Sequence, residues 1–146
     1  MTRKYLSLPV AAVGLLLSVA AVPGLAPLWA HHSFSAEFDA DKPVTLHGTV
    51  TRVDWTNPHA WIHLDVKGDD GQTTEWKIEA GAPNALLRRG FTKAYLPAGT
   101  AIVVEGFRAK DGSNRANGSN VTTPDGKKLF LGSSGTGAPY DEKGGK

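Results

Sequence analysis

Val44-Thr45-Leu46-His47-Gly48-Thr49-Val50-Thr51 alternates apolar and polar residues along its whole length. Val44, Leu46, Gly48 and Val50 fall on one side, and Thr45, His47, Thr49 and Thr51 on the other. That is the pattern of a half-buried strand, because successive side chains of an extended backbone point to opposite faces. Gly48 inside the run predicts a bend or bulge. Downstream, Ile62, Leu64 and Val66 alternate with Trp61, His63 and Asp65, which predicts a second strand over 60–67 with those three residues facing outward. The cluster Gly68-Asp69-Asp70-Gly71 reads as a hairpin turn. A third strand follows over 74–79, with Trp76 and Ile78 set against Glu75, Lys77 and Glu79.

The period then changes. Pro83 suits a first helical turn, Leu86 and Leu87 supply an apolar side, and Gly90 is a natural stop. A fourth strand is expected over 101–109. A fifth follows the polar loop 110–117, with an interruption at Pro124-Asp125-Gly126 and a resumption over 128–131. Three strands, a helix and two more strands is the order of a small all-β barrel with one short helix, a five-stranded OB-like Greek-key barrel. The expected organisation is a leader over 1–30, an N-terminal arm over 31–43 pinned by Phe34 and Phe38, the barrel over 44–131, and a disordered tail over 132–146.

The leader reads as an export signal: Arg3 and Lys4, an apolar stretch from Tyr5 to Val22, then Pro23-Gly24 and a short run to Ala30. Cleavage after Ala30 would leave 116 residues, enough for one modest core. The leader holds two of the sixteen basic residues and none of the fourteen acidic ones, so the remaining chain is neutral. A neutral chain argues against nucleic acid as a partner, since a basic footprint is needed to displace counterions. No cysteine is present, which excludes disulfides, thiolate metal sites and cysteine nucleophiles. No apolar run long enough to span a bilayer follows the leader, so no membrane segment is expected after cleavage.

His31-His32-Ser33-Phe34, the run 44–50, Trp55-Thr56-Asn57-Pro58-His59-Ala60-Trp61 and Pro83-Asn84-Ala85-Leu86 together resemble a family of exported bacterial proteins, domain-of-unknown-function family 6152. The likeness covers roughly residues 31–132. It implies a periplasmic protein of a Gram-negative bacterium and brings no assigned catalytic residue.

All five histidines lie between His31 and His63. A mature chain beginning at His31 would offer its amine and the imidazole Nδ1 in one chelate ring, with His32 beside it, a donor set suited to Cu(II). The chemistry resembles the copper brace of some secreted oxidases, and nothing else of those enzymes is visible. His59 and His63 are the internal candidates for such a site. His47, some four residues along the first strand from the position opposite His63, would sit about 13 Å away. The expected ligand or partner face carries Trp55, Trp61, Glu75 and Lys77, with Asp111 and Arg115 from the loop joining strands four and five. The sequence contains no phosphate loop, dinucleotide fingerprint or nucleophile elbow. The reading is therefore a non-enzymatic periplasmic binding protein taking a small ligand or Cu(II). The alternative is a module that docks an envelope protein through Trp55 and Trp61, and an N-terminal-copper oxidase is a remote third.

Overall fold

The computed structural model describes residues 34–132 and 137–140. The leader, the expected cut site, His31 and His32 lie outside the described residues. The elements are α1 (Phe34–Glu37), β1 (Phe38–Asp54), β2 (Trp61–Lys67), β3 (Thr73–Glu79), α2 (Pro83–Arg88), a 3-10 turn (Lys93–Tyr95), β4 (Ala101–Ala109), β5 (Arg115–Thr122) and β6 (Lys128–Phe130). No helix among the described residues is long and apolar enough to cross a membrane.

The fold is mostly β-sheet with a short helix between β3 and β4, as the change of period predicts. The sheet order is β3-β2-β1-β4-β5-β6, and β3 also pairs with β5. Every ladder is antiparallel except β3–β5, which is parallel and sets Lys77 beside Arg115 and Glu79 beside Asn117. Six strands stand where five were expected, because the turn at Pro124-Asp125-Gly126 separates β6 from β5 completely. The expected arm is also corrected in part: β1 begins at Phe38, and a break in its register with β4 between Phe38 and Pro43 hides the alternation there.

Alternation in β1 and β2 buries Leu46, Val50, Ile62 and Leu64; Ile78, Ile102, Val104 and Val121 come from β3, β4 and β5. Leu86 of α2 with Phe91 and Leu96 joins the same core. Pro83 opens α2, and Gly90 follows it at φ +81°, a left-handed conformation that favours glycine. The register shift in β1 falls between Val50 and Arg52 rather than at Gly48. Gly48 answers a different need: a Cβ there would lie 3.0 Å from the Asp65 carbonyl oxygen and 3.1 Å from Val66.

A second, smaller cluster buries Phe34, Phe38, Ala109 and Ala138, with Phe107 and Tyr140 against it. The Phe34 ring meets that of Phe107 edge-on at 5.4 Å. The expectation that these two phenylalanines pin the arm agrees with this cluster. The expectation of a tail with nothing to bury fails for residues 137–140. Ala138 is buried, Tyr140 meets Phe130 edge-on, and its hydroxyl donates to Asn117 Oδ1 at 2.7 Å. One small and one aromatic side chain suffice to hold a Gly-rich segment when an apolar surface awaits them.

Candidate functional site

The outward sides of β1, β2, β3 and β5 carry a row of side chains set by the ladders. Arg52 pairs with His63, His63 with Lys77, and Lys77 with Arg115. The register shift at Thr51 is what places Arg52, rather than Thr51, opposite His63. Arg52, Asp54, Trp61, His63, Lys77 and Arg115 line a recess of about 330 Å³. Four of the residues expected on one face are thus brought together: Trp61, His63, Lys77 and Arg115.

His63 points outward as expected, yet it is only 2% exposed. Its Nδ1 lies 2.8 Å from Glu75 Oε1 and its Nε2 lies 2.8 Å from Asp54 Oδ2. A ring nitrogen donates to a carboxylate only when it carries a proton, so both contacts are donations together only in the imidazolium form. The bond from His63 is the chief cause holding the Glu75 carboxyl below its ordinary range. For Asp54, desolvation pushes upward, and the bond and charge of His63 with the nearby Arg52 outweigh it, so its carboxyl is also lowered. Glu75 therefore serves as one jaw of a clamp on His63, and that clamp leaves neither nitrogen of His63 open to a metal.

His59 lies in the loop between β1 and β2, after a cis Asn57–Pro58 peptide. Its Nδ1 is 2.6 Å from Glu79 Oε1, and the two side chains are only 13% and 11% exposed. The bond to Glu79 is the largest cause raising the His59 pKa. Desolvation opposes it, and the charges of Glu79 and of Glu37 in α1 add to it. No described residue bonds Nε2. Glu79 was legible only as one of several strand carboxylates. The hairpin at 68–71 does place it opposite Trp61, beside the loop holding His59, and that register was the available signal.

Asp111 and Arg115 stand apart from the histidines' own contacts. Arg115 binds Asp111 at 3.2 Å and Glu37 at 3.3 Å. Asp111 also accepts from the Ser113 hydroxyl and backbone N–H, the main causes lowering its pKa. Trp55 does not share the recess with Trp61. Its indole stacks on Phe91, with ring centroids 6.0 Å apart at 12°, and packs on the main core. Trp55 follows the end of β1, and Phe91, just after α2, offers it a flat apolar partner. His47 is exposed and lines a separate groove of about 410 Å³ across β1, β2, β4 and β5. Among the described residues no group of three or more His, Asp or Glu side chains is arranged to hold a metal ion.

A family model described as a family of unknown function, DUF6152, matches residues 17–119 of the chain. No curated protein and no solved structure matches it.

Proposed function

The chain belongs to the DUF6152 family, which brings no assigned activity with it, and on that premise we propose that it is an exported, non-enzymatic, OB-like binding protein that takes up Cu(II) at its mature N-terminus. Support for the barrel is the ring of ladders β1-β2-β3-β5-β4-β1, closed by the parallel β3–β5 pairing, with α2 between β3 and β4. Support for periplasmic export is the leader sequence and the family likeness.

One observation carries the metal reading: the 2.6 Å bond between His59 Nδ1 and the mostly buried Glu79. A carboxylate on one ring nitrogen is how proteins orient a metal-binding histidine, because it fixes the tautomer and leaves the other nitrogen with its lone pair. Here the other nitrogen is Nε2, which no described residue bonds. Phe34 is three residue steps from His31, a reach of about 10 Å. Glu37, at the end of α1, is close enough for its charge to act on His59. The set is then the His31 amine and imidazole, His32 and His59 Nε2. His63 leaves the set, because both its nitrogens are engaged. Docking through a Trp55–Trp61 pair loses ground for a similar reason, since Trp55 is committed to Phe91.

Titration calorimetry with Cu(II) on chain beginning at His31 is the test. One equivalent should bind, and affinity should fall steadily as pH drops, because the amine and the imidazoles must lose their protons and the bond to Glu79 makes His59 hold its proton more firmly. His59→Ala and one added residue before His31 should each weaken binding strongly, and His63→Ala should not. Binding no tighter than that of an isolated His-His-Ser peptide would end the proposal.

A further inference from the structure

We infer that Asp54, His63 and Glu75 form a pH-sensitive gate: loss of one proton from His63 frees Asp54 and uncovers Nε2 at the floor of the recess, while Glu75 stays bound. The inference uses neither copper nor the His59–Glu79 bond. Three strands meet in the gate, with Asp54 at the end of β1, the His63 ring on β2 and Glu75 on β3. Asp54 and His63 both line the recess. The His63 side chain is 3% exposed, whereas those of Asp54 and Glu75 are 43% and 49% exposed. Each ring nitrogen faces a carboxylate at 2.8 Å, so the gate is fully closed only with two ring protons. Removing one sets a nitrogen lone pair against a carboxylate oxygen. The enclosed ring has no water to turn to, but a half-exposed carboxylate has, so the carboxylate is the part that moves.

The neighbouring charges determine which side opens. Asp54 has a second partner: its Oδ1 accepts from Arg52 Nε at 3.3 Å, while Oδ2 faces His63. Glu75 has no hydrogen bond or ion pair besides His63 among the described residues, and the charges of Arg52 and Lys77 reach it without a direct bond. Arg115 of β5 lies beyond Lys77 and is held by Glu37 and Asp111. A neutral imidazole has one N–H, and its hydrogen-bond partners fix which nitrogen carries it. Glu75 has no other donor, so the proton stays on Nδ1. Asp54 turns to Arg52 and to water. Both carboxylates remain charged through this step, because both are held below their ordinary range. For Glu75 the chief cause is the bond from His63; for Asp54 desolvation pushes upward and is outweighed by His63 and Arg52. The ring is therefore the member that switches. Below its titration the recess floor is sealed, and above it the floor presents a hydrogen-bond acceptor.

The test is an NMR titration of isotope-labelled protein over about pH 5–10, reading the two ring nitrogens of His63 and the carboxyl carbons of Asp54 and Glu75. Both ring nitrogens should carry protons at the acid end. As pH rises, Nε2 should lose its proton and the Nδ1–H form should dominate by about tenfold or more. The Asp54 carboxyl carbon should move with the same midpoint, and that of Glu75 should move less. Two variants at exposed positions separate a gate from a merely structural clamp. Glu75→Gln weakens the acceptor on Nδ1, and Arg52→Gln removes the second partner of Asp54. Each should shift the neutral ring towards the Nε2–H form, and the rest of the spectrum should superpose on that of the parent chain. A ring that keeps one charge state over the whole range would overturn the inference. So would an Nε2–H form in the parent chain, an Asp54 signal that ignores the ring, or an unchanged tautomer in both variants.

Discussion

Replacing Glu79 by Gln tests the His59 pair directly. Both side chains are nearly covered, at 13% and 11% exposure, and the contact is 2.6 Å. A charge-assisted hydrogen bond contributes about 1.5–3 kcal/mol. Gln keeps a neutral acceptor, so the expected loss is about 1–2 kcal/mol when His59 is charged. The sign of the pH dependence follows from the raised pKa of His59. A folded value above the unfolded one means that the stabilisation is fully present below about pH 6.5. It is lost as pH rises through the raised folded value. Urea unfolding of parent and variant at pH 5.5 and pH 8.5 therefore should give a clear difference at the lower pH and a smaller one at the higher. An NMR titration of His59 should show its pKa fall in the variant. A difference that is equal at both pH values, or larger at pH 8.5, would refute the argument, since the pair would then not depend on the charge of His59.

The two tryptophans that flank the β1–β2 loop should behave differently. Trp55→Ala removes the stack on Phe91 and should cost about 2–3 kcal/mol in urea unfolding, whereas Trp61→Ala should change stability by less than about 0.5 kcal/mol. Gly106→Ala should destabilise by about 1–3 kcal/mol or prevent folding, because a Cβ there would overlap the Asn117 carbonyl oxygen, a backbone atom with no room to yield; circular dichroism melts would show it. Tyr140→Phe should cost about 1–2 kcal/mol by leaving the side chain of buried Asn117 without that bond, and an unchanged melting temperature would show that the hydroxyl bond contributes nothing.

The strands were legible because each buries one side: the alternation around Leu46, Ile62, Ile78 and Val104 translates directly into the core. Pro83 and Gly90 gave the helix in the same local way. What stayed hidden depends on register. His63 was correctly read as outward, but its burial needs Asp54 and Glu75 to arrive diagonally from two neighbouring strands. That in turn needs the shift at Thr51, which no local pattern announces. The His59–Glu79 bond joins a loop to the far end of another strand. Trp55 and Trp61 were close in sequence and similar in type, and only Phe91, thirty-six residues after Trp55, decides that they part. Phe34 and Phe38 were legible as anchors of the arm, whereas Tyr140 was missed because the second cluster draws it from a segment that otherwise looks polar.

That second cluster has a practical consequence. Phe34 and Tyr140, at the two extremes of the described chain, pack in one apolar patch, so in space the polypeptide nearly forms a loop. A short linker could join the ends at small entropic cost, and new termini could open at the exposed turn 68–71 without removing any strand. Such a circular permutant would keep the recess and the His59–Glu79 pair but would carry no free amine beside them. It would separate, in one molecule, what the sheet binds from what the terminus binds.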